Sequence, residues 1–196
     1  MSKLELSFGN KKLPKSTAIL NMGSAHSCPS DKLGLCAVSD ICYAKKAEKQ
    51  YPNVRPYRDR QQAYWLGNTA EDIALDLISK FNRRRTVTRS LRLNEAGDFW
   101  SQDCVTKAEE LATILKGAGI RTYVYTARRD LDFSECHNLV INGSGFKAAG
   151  VNHTFTAWSQ AQIDRSTEDF LLCPQDCTKC ALCSVPSEKT IVVPMH

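Results

Sequence analysis

Thr17-Ala18-Ile19-Leu20-Asn21-Met22-Gly23-Ser24-Ala25-His26-Ser27-Cys28-Pro29 is the stretch that decides the fold. Thr17 to Met22 reads as a buried strand, and a Gly/Ser/Pro loop that reaches a thiol follows it at once. A strand whose C-terminal end opens into a polar, cysteine-bearing loop is what a parallel α/β fold produces, because such folds gather their sites at the strand ends.

The pattern repeats along the chain. Ser90 to Asn94 alternates as a strand and runs into the polar turn Glu95-Ala96-Gly97-Asp98. Arg121 to Thr126 is β-branched and aromatic, and Leu139–Asn142, Thr154–Trp158 and Phe170–Leu172 are shorter candidates. Helices separate them. Thr69 with Asp72 forms a capping box opening a helix through Ile73, Leu77, Ile78 and Phe81, while Tyr64 and Trp65 sit in a short apolar segment stopped by Gly67. Lys107 to Lys116 carries Ala108, Leu111, Ala112 and Leu115 on one face, with Gly117 and Gly119 as stop signals. Strands alternating with helices predict an α/β fold: a mainly parallel sheet of about six strands, partial (βα) barrel-like, with a three-cysteine loop after the first strand. Polar residues follow the strands as Ser24/His26, Glu95/Asp98, Arg128/Arg129, Ser144 and Ser159/Gln160, which reads as an active rim or simply as wet loops.

A chain of 196 residues, 42% hydrophobic, is long enough for one core and short for two, and no repeat or linker divides it. The expectation is a single domain over 1–196, with a cysteine loop at 23–45 and a cysteine cluster at 173–183. Met1-Ser2-Lys3-Leu4-Glu5-Leu6 lacks the apolar core of a secretory signal, and no apolar run approaches a membrane span. In a reducing cytosol, nine cysteines, an odd number, argue for metal rather than disulfides. The net charge of +5 suits an anionic ligand such as a nucleotide or nucleic acid without demanding one.

Cys173, Cys177, Cys180 and Cys183 place four thiols in one short run that also contains Cys173-Pro174. Such a segment wraps a compact iron-sulfur cluster of the 4Fe-4S type, and tetrahedral zinc is the rival occupant. Cys28, Cys36 and Cys42 form a second set. Three thiolates bind three irons of a cluster and leave the fourth without a protein ligand, unless His26, Asp31, Asp40 or a cysteine of the terminal run closes it. Cys104 and Cys136 read as small buried hydrophobes, and His137, His153 and His196 carry no distinct signal. Arg83-Arg84-Arg85 suits a helix C-terminus or a phosphate contact. Lys45, Lys46, Lys49, Arg55, Arg58 and Arg60, interleaved with Tyr51 and Tyr57, suit a phosphate or stacked base, or the balancing of an anionic cluster.

Leu6–Leu13, Asn21-Met22-Gly23, Cys28-Pro29, Cys36, Cys42–Glu48, Tyr51-Pro52, Arg55 and Tyr57-Arg58 together resemble the "gene product 88" family of tailed phages. Asn94–Ser101, Tyr125–Arg128 and the terminal cysteine run share the resemblance. It implies a phage origin, hence the cytoplasm of an infected host cell, and little mechanism. More distantly, a three-cysteine loop after the first strand of a partial barrel is similar to radical S-adenosylmethionine (SAM) enzymes. That likeness implies that Glu95-Ala96-Gly97-Asp98 takes the place of the segment holding the methionine amine. Asn94, Gly97 and Thr126 are then candidate cofactor contacts, and Glu95, Asp98 and Arg128 candidate catalytic groups. The spacing departs from the superfamily's CxxxCxxC, since seven residues separate Cys28 from Cys36 and five separate Cys36 from Cys42. Two functions follow: an iron-sulfur enzyme whose open iron binds SAM or a small substrate, or a metal-stabilised accessory protein binding nucleic acid or a host protein. Substrate and oligomeric state are not encoded in any motif.

Overall fold

The computed structural model describes residues 3–195, so Met1, Ser2 and His196 lie outside the described residues. In chain order the elements are β1 (Ser7–Phe8), β2 (Thr17–Leu20), α1 (Pro29–Lys32), α2 (Tyr43–Gln50), α3 (Val54–Gly67), α4 (Ala70–Asn82), β3 (Ser90–Leu93), α5 (Gln102–Gly117), β4 (Arg121–Thr126), β5 (Leu139–Ser144), β6 (His153–Trp158), α6 (Gln160–Arg165), β7 (Phe170–Leu172) and β8 (Thr190–Pro194). Short 3-10 turns occupy Ser39–Ile41 and Leu182–Ser184. None of the described helices is long and apolar enough to cross a membrane.

The strands form one eight-stranded sheet in the order β1-β2-β3-β4-β5-β6-β8-β7, parallel throughout except where β1 meets β2. From β2 to β6 each strand lies beside its successor, the order a (βα) barrel also uses. The sheet is open-edged, however, and among the described strands no ladder joins β1 to β7. Each expected strand is present, and the count of about six rises to eight. β1 is two residues long, too short to show a period, and Thr190-Ile191-Val192-Val193 is a β-branched run beyond the cysteines that goes unread as a strand.

Residues alternate between the faces of a strand, and here the two faces differ in chemistry. Ala18 and Leu20, Leu91 and Leu93, Val124, Leu139 and Ile141 join one buried cluster with α4 and α5. Helix α4 opens with the expected capping box, in which Thr69 Oγ1 accepts from Asp72 N at 3.2 Å and Asp72 Oδ2 from Thr69 N at 3.4 Å. It buries Ile73, Ala74, Leu77 and Phe81, a helical spacing, against the Val105, Ala108, Leu111, Ala112 and Leu115 face of α5. Each fully buried aliphatic side chain of this kind contributes about 1.5–3 kcal/mol. Cys104 and Cys136 are buried in the same cluster, as small hydrophobes. The opposite face of the sheet carries Thr17, Ser90, Arg92, Arg121, Tyr123, Tyr125 and Asn142, a polar and aromatic surface on central strands.

Three stretches differ from expectation. Helix α5 begins at Gln102 rather than near Lys107, because Cys104 and Val105 add a buried first turn. Tyr64 and Trp65 are the last turn of α3, whose other buried residues are Arg58 and Gln61, so polar groups occupy the core-facing stripe. The segment from Pro29 to Ile41, expected as loop, contains α1, started by a proline at its first turn where the missing N–H costs nothing.

Candidate metal centres

Cys28 immediately precedes α1 and Cys42 immediately precedes α2, with Cys36 between them, so the local helices set where the three thiols stand. The Cys36 thiol acts electrostatically on Cys28 and the Cys42 thiol on Cys36, and the Asp98 carboxylate acts on both Cys28 and Cys36. Burial is the main cause that pushes the Cys28 thiol up to about 11 and the Cys36 thiol above its ordinary value. Neighbouring negative charges add to it, while backbone N–H groups of Asp31, Ser30 and Val38 act in the opposite direction. Acidic groups that resist ionisation are what a cation would stabilise, and metal binding displaces such protons. Thiols beside a carboxylate are the donor types that a thiophilic metal group takes.

The loop holding these thiols is clamped at two points. Asp98, only 4% exposed, accepts from Ser30 Oγ at 2.6 Å and Ala127 N at 2.9 Å through Oδ2, and from Phe99 N at 2.8 Å through Oδ1. It thus ties α1 to the ends of β3 and β4. Glu48 accepts from Ala25 N at 2.7 Å, His26 N at 3.1 Å and Arg58 Nη1 at 2.7 Å, and the Glu48 and Arg58 side chains are 7% and 5% exposed. Arg58 Nη1 also donates to Ala44 O at 3.1 Å. The thiol of Cys42 packs with Ala25, Ala44 and Ala96, between the two clamps.

The strand ends beneath the loop are stitched by a reciprocal asparagine pair. Asn94 Oδ1 accepts from Met22 N at 2.9 Å and Asn21 Oδ1 accepts from Ala96 N at 2.8 Å. Asn94 adopts a φ of +60°, a left-handed conformation that asparagine tolerates. Gly97, at φ +77°, packs so closely that a Cβ there would stand 2.8 Å from Gly23 O. Its role is to let the two loops touch. Of the three candidate cofactor contacts, Thr126 Oγ1 already accepts from Arg128 N at 3.0 Å, Gly97 is pressed on Gly23, and Asn94 retains a buried Nδ2 without a hydrogen-bond partner among the described residues. The candidate catalytic groups are similarly engaged. Arg128 forms a fork with Asp130 at 2.8 and 2.9 Å and donates to Phe99 O, while Glu95 accepts from Asn10 Nδ2 at 2.8 Å. All six lie together at the β3 and β4 ends, yet Asp98 and Arg128 are buried and tethered rather than presented to solvent.

The terminal run sits elsewhere, across the polar face of the sheet. Cys173, Cys177, Cys180 and Cys183 line a cavity of about 340 Å3 with Ser90, Arg92, Tyr123 and Tyr125. At roughly 30 Å3 per liquid water, this space holds a body of many atoms. Asn142 Nδ2 donates to Cys183 O at 2.9 Å, and Cys173 N to Val192 O at 2.8 Å, which pins both ends of the run to the sheet. Burial pushes the Cys183 thiol up to about 11 and raises that of Cys177, and neighbouring cysteines of the run add to both. Tyr125 hydrogen-bonds Cys183, and the Arg92 charge favours ionised Cys177.

Among the described residues no group of three or more Cys, His, Asp or Glu is drawn together tightly enough to hold a single metal ion. All nine cysteines are free thiols. Of the proposed closing ligands, Asp31 is engaged by Lys45 at 2.7 Å and by Ser39, whereas His26 and Asp40 are exposed. Much of the basic cluster is paired within the chain: Lys45 with Asp31, Arg55 with Asp59, Arg58 with Glu48 and Arg60 with Glu5. Arg84 lies 3.3 Å from the centre of the Phe8 ring and donates to Lys15 O, leaving Arg83 and Arg85 as the exposed members of that triplet. Glu48, Ser30 and Arg92 were not singled out as functional groups by sequence. Nothing in their local sequence distinguishes them from ordinary helix and strand residues.

A family model described as Gene product 88 matches residues 3–167. The match takes in the N-terminal cysteine loop and the β3 and β4 ends, and it stops short of Cys173. No curated protein and no solved structure matches the chain significantly.

Proposed function

The chain belongs to the gene product 88 family, and from that premise we propose that it is an iron-sulfur protein with two thiolate centres, the N-terminal one an open site for a small ligand. The single observation that carries the reading is that Cys28, Cys36 and Cys42 stand in one loop fixed by Asp98 and by the Glu48–Arg58 pair, where Cys36 acts electrostatically on Cys28 and Cys42 on Cys36. A cluster held there would supply an iron without a protein thiolate, fit for Lewis-acid or one-electron chemistry.

The chain's own residues have defined tasks in this reading. Cys28, Cys36 and Cys42 bind; Asp98 and Ser30 fix the loop over the β3 and β4 ends; Gly97 admits the close approach of Gly23. Glu95 lies partly exposed at the same edge, and the buried Nδ2 of Asn94 is a hydrogen-bond donor left for a ligand. SAM is the ligand to try first, because the strand-end loop with three cysteines is like that of enzymes that use it. The paired state of Lys45, Arg55, Arg58 and Arg60 weighs against a nucleic-acid surface beside the loop.

The test is iron, sulfide and zinc content of protein isolated without oxygen, followed by electron paramagnetic resonance with and without SAM. Iron with matching sulfide, reduced in a Cys28→Ser/Cys36→Ser/Cys42→Ser variant, supports the reading, and a signal altered by SAM assigns the open position. Folded protein free of iron and sulfide refutes it, and zinc alone at the terminal run transfers the molecule to a metal-braced accessory role.

A further inference from the structure

We infer that Arg92 links the two cysteine centres, acting as the counter-cation of the group held by Cys173, Cys177, Cys180 and Cys183 and reaching the N-terminal loop through Tyr43. The inference deepens the metal-binding reading above and rests on it.

Arg92 stands on the central strand β3, in register with Ile19 and Tyr123, with its side chain on the face that the terminal run covers. Its guanidinium carbon lies 4.9 Å from the centre of the Tyr125 ring, and Tyr125 in turn hydrogen-bonds Cys183. On its other side Nη2 donates to Tyr43 Oη at 3.4 Å, a long contact, and Tyr43 adjoins Cys42 in the chain. Tyr43 is itself anchored, since its hydroxyl donates to Glu95 O at 2.5 Å. A continuous line of contacts therefore runs from Cys42 through Tyr43, Arg92 and Tyr125 to Cys183.

The guanidinium is incompletely satisfied. Its Nε is buried without a hydrogen-bond partner among the described residues, which is costly for a charged donor. The acidic side chain lining the cavity is Asp176, and it already accepts from Thr178 and pairs with Lys179. Glu95 is close enough to act on Arg92 but is hydrogen-bonded to Asn10. Besides Tyr123 and Tyr125, the groups around the cavity that can turn negative are the four thiols of the run, and the Arg92 charge favours ionised Cys177. Four thiolates exceed the charge of a divalent ion or of a cluster core, so the occupied site is anionic and a fixed cation beside it stabilises the metal-loaded state. For iron, the same cation favours the reduced, more negative state and so raises the reduction potential.

The experiment uses the full chain isolated without oxygen, as wild type, Arg92→Gln and Arg92→Lys, with circular dichroism verifying the fold. Metal retained at the terminal run against a chelator is measured in each, and the reduction potential where the metal is iron. Arg92→Gln is expected to hold the metal roughly 10–100-fold less tightly, as loss of an outer-shell partner does, with a more negative potential and Arg92→Lys in between. Serine substitution of Cys28, Cys36 and Cys42 is expected to change retention at the terminal run in wild type, and to lose that effect in Tyr43→Phe. Folded Arg92→Gln protein with unchanged retention and potential overturns the inference while leaving the metal reading intact. If Arg92→Gln does not fold, the Tyr43→Phe comparison decides: an effect that persists there overturns the link. Wild-type protein with no metal at the run overturns both.

Discussion

Replacing Asp98 by asparagine keeps the side chain's shape and removes one acceptor. The two carboxylate oxygens accept from Ser30 Oγ, Ala127 N and Phe99 N at 2.6, 2.9 and 2.8 Å, and the Thr126 side chain also hydrogen-bonds the carboxyl. Ser30 can rotate its hydroxyl to accept instead, but a backbone N–H cannot, so either orientation of the amide sets its NH2 against Ala127 N or Phe99 N. A hydrogen bond to a charged acceptor contributes about 1.5–3 kcal/mol, and a buried donor left unsatisfied costs about 1–3 kcal/mol. These overlap rather than add. Burial also raises the carboxyl's proton affinity, so the charged form carries a desolvation penalty that asparagine escapes. The balance is a loss of about 2 kcal/mol, a substantial part of the 5–15 kcal/mol typical of a domain. Urea unfolding measures it as a lower midpoint at unchanged slope. Because Ser30 belongs to the cysteine loop, iron at the N-terminal set should fall with it while that at the terminal run stays. Stability within ~0.5 kcal/mol of wild type would falsify the claim that Asp98 fixes the loop.

Arg58→Met removes the cation from a pair that is almost fully buried, leaving Glu48 with backbone donors alone. Denaturant unfolding should show a loss of about 3–5 kcal/mol, and a change within surface-mutation size would argue against the clamp. The Asp31 carboxyl is held below its ordinary value of 3.8 by hydrogen bonds from Lys45 and Ser39. Its contribution is therefore complete above that value and is lost as pH falls through the lower folded-state value. The stability difference between wild type and Asp31→Asn should be small and salt-sensitive at neutral pH, since Lys45 is 41% exposed. It should vanish in acid, and a difference that is flat across the titration would contradict a stabilising Asp31–Lys45 ion pair.

Where local chemistry dictates structure, the sequence was readable. Thr69 and Asp72 announce α4, and the β-branched, aromatic run 121–126 gives β4 to the residue. The rim residues Asn94, Glu95, Gly97, Asp98, Thr126 and Arg128 do come together, because parallel strands β3 and β4 end side by side. Their roles were not readable. Asp98 and Arg128 look like free acid and base in one dimension, and only the packed strand ends show them buried and tethered. Helix α3 was missed because Arg58 and Gln61 stand where an apolar period would be, and their burial depends on Glu48, Asn21 and Glu5, all distant in sequence. Arg92 is a further case. It looks like the solvent-facing member of an alternating strand until the terminal run is laid across it.

The position of β8 has a consequence for how the molecule is put together. A ribosome delivers β7 before β8, yet β8 is the strand that separates β7 from β6, and Cys173 N donates to Val192 O. When translation has passed Cys183, the thiol-bearing segment is anchored at its upstream end to a strand with no ladder of its own. Closure waits for Thr190–Pro194 to pair with β6 on one side and Phe170–Leu172 on the other. Until that insertion the Cys173 amide has no Val192 carbonyl to hold it, and the upstream end of the run is not yet pinned to the sheet.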